Sequence, residues 1–97
     1  MIIKLVGRID SNNASTIEAD ILNQIGESKE EIIFDAADLD YISSAGLRVL
    51  LRVKKANPNV KVINVNSTVY EILDMTGFTE ILDVAKEYRL VSVEGCE

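Results

Sequence analysis

The run Ile32-Ile33-Phe34 is apolar at three successive positions, and this constrains the chain more than any other pattern in it. Side chains on a strand alternate between faces, so an unbroken apolar run asks for burial on both, as in a parallel strand. Parallel strands need crossovers, and the flanking sequence supplies them. Ile2 to Val6 reads as a first strand, Glu31 to Asp35 as a second and Val60 to Val65 as a third. Helical spacing relates Ala14, Ile17, Ile21, Leu22 and Ile25. Leu47, Val49, Leu50, Leu51 and Val53 crowd more than one face of a helix over Ala45 to Ala56, which predicts extensive burial. Val69, Ile72, Leu73 and Thr76 share a face of a third helix. Gly26, Asn57-Pro58-Asn59 and Gly77 are natural stops. Ile81 to Val84 is a short apolar segment, and Tyr88 to Val93 reads as a last strand.

The resulting order, β-α-β-α-β-α-β, predicts an α/β fold with a mostly parallel sheet and right-handed crossovers. The 97 residues carry no repeat, linker or low-complexity stretch, so residues 1–97 form a single domain with one core. Several helix starts are marked. Asn12, Asn13 and Ser15 are cap candidates for the first helix, with Ser15 and Glu18 spaced as a capping box. Ser67 or Thr68 serves the third, where Thr68 and Glu71 repeat that spacing.

Charge narrows the partners. A net charge of −6 disfavours nucleic acid, whose phosphates need clustered Lys and Arg, and disfavours direct contact with an anionic membrane. No apolar run approaches a membrane span, and Met1 to Val6 lacks the basic flank of a signal peptide, so the reading is cytoplasmic. The single cysteine, Cys96, cannot form an internal disulfide, which suits a reducing compartment.

Chemistry is narrowed further by what is missing. With no histidine there is no Ser-His-Asp triad and no histidine metal site, and Cys96 has no evident base. Neither Gly-rich phosphate loop occurs. Asp35, Asp38 and Asp40 follow the second strand and could hold a hydrated cation, but the spacing reads more simply as a solvated turn. The expectation is a protein that is not an enzyme and that takes neither metal nor cofactor.

One segment stands out against this background. Ile42-Ser43-Ser44-Ala45-Gly46-Leu47 places two hydroxyls where a helix begins. Backbone N–H groups and the helix dipole favour negative charge there. One serine is enough for a cap, which leaves its neighbour exposed. Ala45 and Gly46 are nearly without side chains, which would let another protein approach the backbone closely. Spacing alone leaves a capping role and a phosphorylation switch equally open.

These residues resemble the STAS family of anti-sigma-factor antagonists and their relatives. Gly7-Arg8-Ile9-Asp10 resembles the family's Gly-x-[Leu/Ile]-Asp after an early strand. Ile32-Ile33-Phe34-Asp35 with Leu39 is similar to its central strand, Ser44-Ala45-Gly46-Leu47 to its Ser-[Ser/Ala]-Gly-[Leu/Val] signature, and Leu73 to Phe78 to its late helix and turn. Two features depart from the pattern. Many members carry an additional strand before the one on which this chain begins, and many have a helix where Tyr88 onward reads as a strand.

The resemblance implies a mixed, mostly parallel sheet of about four to five strands with helices on one side. It implies a phosphoacceptor at Ser44, with Ser43 the alternative. It implies a contact patch of Asp10, Asn12, Tyr41, Ser43, Ala45, Gly46 and Arg48, extending to Gly77. The implied partners are an anti-sigma factor that is also a serine kinase of GHKL type, and a phosphatase of PP2C type. Other expectations within the family are a constitutive scaffold or regulatory domain of a larger protein. A small-ligand sensor, for a nucleotide or lipid, is a reading of another class. In both, Ser44 is only a cap.

Overall fold

The computed structural model describes residues 1–28 and 30–86. The elements run β1 (Ile2–Ile9), α1 (Ala14–Ile25), β2 (Ile32–Ile42), α2 (Ser44–Ala56), β3 (Val60–Val65), α3 (Ser67–Met75), α4 (Phe78–Ile81) and β4 (Asp83–Lys86). The strands lie side by side in chain order, and every neighbouring pair is parallel. Among the described residues the sheet is thus four-stranded and wholly parallel rather than mixed. The fourth strand comes from the short apolar segment at Asp83–Lys86, while Tyr88 to Val93 lies outside the described residues.

Strand order explains where the core sits. When each strand is added beyond the last by a right-handed crossover, all the crossing helices fall on one face. On β1, Ile3, Leu5 and Ile9 are buried on that face, while Ile2 and Val6 on the other are 65% and 63% exposed. On β2, Ile32, Phe34 and Ala36 are buried but Ile33 only partly so. The expectation that Ile32-Ile33-Phe34 is covered on both faces therefore fails at Ile33, because the crossovers leave no helix for the second face.

β2 is longer than its sequence implies. Its pairing with β1 slips twice, between Lys4 and Val6 and between Gly7 and Arg8, each time with an extra residue on β2. These bulges let pairing continue to Ile9↔Ile42 while returning Leu39 and Ile42 to the core face. Asp38 and Asp40 accordingly belong to a strand and not to a turn.

α2 buries Gly46, Leu47, Val49, Leu50 and Val53 and turns Arg48, Arg52 and Lys55 outward. Arg52 grips Glu18 of α1 through both nitrogens, Nε to Oε2 at 2.7 Å and Nη2 to Oε1 at 2.8 Å. Glu18 thus ties two helices together instead of closing a capping box with Ser15. α3 is capped by Asn66, not by Ser67 or Thr68. The Asn66 Oδ1 accepts the Val69 N–H at 2.8 Å while Nδ2 donates to the Leu39 carbonyl at 2.8 Å. Asn66 thus makes two bonds at once, one to the start of α3 and one to β2.

Candidate functional site

In a parallel sheet the carboxyl ends of the strands lie together, and the helices that follow begin there. β1 and β2 end in register at Ile9↔Ile42, so the loop after β1 and the start of α2 are neighbours. The Ser43 N–H donates to the Ile9 carbonyl at 2.8 Å, locking the two chain ends together.

Ser43 is the cap of α2. Its backbone is extended (φ −93°, ψ 177°), and its Oγ accepts the Gly46 N–H at 3.5 Å. Ser44 is the first residue of the helix and is exposed. The two serines therefore divide the work that the sequence left unassigned. No acidic residue lies in the first turn of α2, so the positive end of the helix dipole is uncompensated beside Ser44.

The loop after β1 is held by hydrogen bonds of its own. The Asp10 Oδ1 accepts the Asn12 N–H at 2.9 Å, and the Asp10 N–H donates to the Asn13 Oδ1 at 2.8 Å. The Asn13 Nδ2 reaches back to the Arg8 carbonyl at 2.8 Å. With its side chain so engaged, Asn13 starts α1 without capping it. Arg8 completes the cluster: its Nε lies 3.4 Å from the Asp10 Oδ2, and its guanidinium carbon lies 4.8 Å from the centre of the Tyr41 ring. Arg8 and Tyr41 are partners in the strand register, which is why they meet on the outer face.

Of the residues expected at the site, Asp10, Asn12, Tyr41, Ser43 and Ser44 come together at this end of the sheet. Arg48 stands one helical turn below Ser44 on the same exposed face. Ala45 is half-buried, and Gly46 is turned inward. A Cβ on Gly46 would stand 2.6 Å from the Ile42 Cγ1 and 2.8 Å from the Ile9 Cγ2. Its bareness serves the packing of α2 on the sheet, in place of the external approach the sequence suggested. Gly77 lies beyond the far end of α3, whose nine residues carry the chain about 13 Å back towards the strands' amino ends. Arg8 is the residue that sequence reasoning missed. Its signal was its place on the outer-face alternation of β1, but only the bulged register brings it to Tyr41.

Electrostatics add little beyond this geometry. Among the described residues no polar or charged residue is fully buried, so the site presents its groups to water. Asp35 sits lower than an ordinary carboxyl because it accepts from the Asn64 side chain and then from the Ala37 N–H. Asp35, Asp38 and Asp40 do not converge, and no group of three or more possible metal ligands gathers among the described residues. A cavity of about 430 Å³ lies at the other ends of α1 and α2, lined by Leu22, Ile25, Val53 and Ala56. No described helix is long and apolar enough to cross a membrane.

A fold of sequential parallel strands with one covered face, carrying a Ser-Ala-Gly helix start, defines a class. The STAS domain model matches residues 1–90, and the chain belongs to the STAS domain family. It is 36% identical over 85 residues to "Putative anti-sigma factor antagonist BtrV" of Bordetella bronchiseptica (strain ATCC BAA-588 / NCTC 13252 / RB50), covering 84% of this chain and 73% of that protein. Two crystal structures share the fold. One is a "putative anti-sigma factor antagonist (tm1081)" from Thermotoga maritima, with a TM-score of 0.77 at 16% identity, covering 88% of this chain and 79% of the other. The second is a sulfate transporter family protein from Wolinella succinogenes, with a TM-score of 0.73 at 19% identity, covering 89% of this chain and 75% of the other.

Proposed function

We propose that this domain is the phosphorylatable module of a partner-switching pathway. Its unphosphorylated form binds an anti-sigma factor that is also a serine kinase of GHKL type, and so relieves inhibition of a sigma factor. Phosphorylation of Ser44 releases the complex, and a PP2C-type phosphatase resets it. The observation that carries this reading is the division of labour at α2: Ser43 holds the cap, and Ser44 stays exposed as the first residue of the helix. The likeness to an anti-sigma factor antagonist supports the choice of partner.

The module itself catalyses nothing and works in the cytoplasm. The kinase supplies ATP and a base. The Ser44 Oγ attacks the γ-phosphorus, the bond to the β–γ bridging oxygen breaks, ADP leaves and the hydroxyl proton passes to the kinase's base. The product adds about −1.5 to −2 charges at a helix N-terminus that holds no acid, so the fold tolerates it. The same charge stands at the centre of a docking surface, where losing about 1.4 kcal/mol already means a tenfold weaker complex.

The test is to phosphorylate the protein with ATP and the kinase and to map the product by peptide mass spectrometry. The reading expects one phosphate, on Ser44, and none on the Ser44→Ala variant. A phosphate on Ser43, or none with an active kinase, overturns it.

A further inference from the structure

α2 holds four cations, Arg48, Arg52, Lys54 and Lys55, and no carboxylate. Three of them are engaged or distant from Ser44. Arg52 is clamped to Glu18, Lys54 donates to the Pro58 carbonyl, and Lys55 lies about three turns from the start of the helix. Arg48 is exposed, and among the described residues it takes part in no ion pair or cation–π contact. Helix geometry fixes where it stands relative to the two serines. Residues three and four apart share a face, with about 5–6 Å between their Cβ atoms. For Ser44 those residues are Leu47, which is buried, and Arg48. For Ser43 they are Gly46 and Leu47, both buried. Arg48 is therefore spaced to meet a group on Ser44 and not one on Ser43.

We propose that Arg48 is the internal partner of a phosphate on Ser44, so that phosphorylation adds an anion to this surface and withdraws its free arginine in one step. This rests on the reading of Ser44 as the phosphoacceptor. An acid four residues N-terminal to a base is the favoured order for a helical ion pair. The Ser44 hydroxyl carries no charge for Arg48 to pair with, whereas a phosphate there brings about −1.5 to −2 charges and three strong acceptor oxygens. The guanidinium presents its N–H donors as a planar fork, which fits two phosphate oxygens at once. The consequence lies with whatever docks on this end of the domain. Before phosphorylation Arg48 is an unpaired cation one turn from Ser44, open to a partner's carboxylate. Afterwards that cation is taken, and the pair as a whole is negative. A carboxylate on the partner then loses its counter-charge and meets repulsion at the same point. Phosphorylation so arranged weakens docking more than the same charge placed beside no arginine.

Four full-length proteins test it: wild type, Arg48→Gln, and each of these again with phosphoserine at position 44 installed during translation, so that no kinase is needed. Without the phosphate, Arg48→Gln should unfold in urea as wild type does, because the exposed arginine has no ion pair to lose. With it, the folding equilibrium should gain about threefold more in the chain that keeps Arg48 than in Arg48→Gln. Equal gains in the two chains overturn the proposal. Side-chain NMR gives a second readout. The Arg48 Nε–H resonance should move when the phosphate is present, while that of Arg52, held by Glu18, stays in place. An Arg48 resonance that does not move, or movement of the Arg8 resonance in its stead, overturns the proposal. The two readings fail separately. A kinase that ignores Ser44 counts against the partner switch and leaves this coupling intact, whereas equal gains count against Arg48 and leave the switch intact.

Discussion

The guanidinium of Arg8 lies 4.8 Å from the ring centre of Tyr41, held there by register pairing between β1 and β2. Asp10 anchors its Nε from the other side at 3.4 Å. Cation, aromatic face and carboxylate thus form one exposed cluster at the end of the sheet where α2 begins, and one large exposed Arg–Tyr pair is the kind of feature that dominates protein interfaces. Arg8→Ala should change stability by no more than about 1 kcal/mol, since an exposed cation–π pair contributes about that much. The same change should weaken binding of the kinase partner at least tenfold. Urea unfolding and binding titrations on the same variant separate the two effects.

Gly46 makes the opposite kind of prediction. Its neighbours Ile42 and Ile9 already occupy the place of a side chain, so Gly46→Ala must push α2 away from the sheet. Overpacking of this sort costs about 1–3 kcal/mol. The loss should appear as a lower urea midpoint with an unchanged slope, and binding should fall because Ser43 and Ser44 ride on the displaced helix.

The two serines should separate cleanly. Ser43→Ala removes the cap of α2 and should lower stability by about 0.5–1 kcal/mol, at the low end for a cap because its bond to the Gly46 N–H is long. Ser44→Ala should leave thermal unfolding within about 0.5 kcal/mol of wild type, as a surface substitution does. Equal losses at both positions would mean that the capping role is shared.

The legible parts of this fold are those governed by near neighbours. Alternation at Ile3 and Leu5, helical spacing from Ala14 to Ile25 and the stop at Gly26, where φ is +54° and the N–H bonds to the Leu22 carbonyl, all follow from local rules. The sharing of roles between Ser43 and Ser44 does not, because either serine suits a cap by type and only the built start of α2 assigns that work to Ser43. Other features depend on partners far along the chain. β2 runs on to Ile42 only because β1 is there to pair with two bulges, which also converts Asp38 and Asp40 from turn to strand. Asn66 displaces Ser67 and Thr68 as the cap because Leu39 offers it a second bond. Gly46 reads as bare surface until Ile9 and Ile42 are placed against it. The family pattern supplied the one-sided coverage of the sheet, which apolar runs alone misjudged at Ile33.

The Arg52–Glu18 clamp gives a pH dependence. Its hydrogen bond to Arg52 holds the Glu18 carboxyl below its ordinary value, with burial opposing and the charge of Arg52 assisting. A carboxylate with a depressed folded pKa contributes stability above its unfolded pKa, about 4.3, and loses it as pH falls through the folded value. Glu18→Gln should therefore be less stable than wild type at neutral pH, and the gap should close on acidification. Denaturation midpoints of the two proteins across acid pH check this. A gap that widens in acid would show that the clamp does not couple to Glu18 ionisation.

The central claim is that the state of Ser44 decides which partner this domain holds. The most direct measurement uses wild type, Ser44→Ala and Ser44→Asp as baits in lysate of the source cell, with the bound proteins identified by mass spectrometry. A GHKL-type kinase should be recovered by wild type and Ser44→Ala and should be absent from Ser44→Asp. Recovery of the same proteins by all three baits would contradict the account and leave the domain a constitutive scaffold.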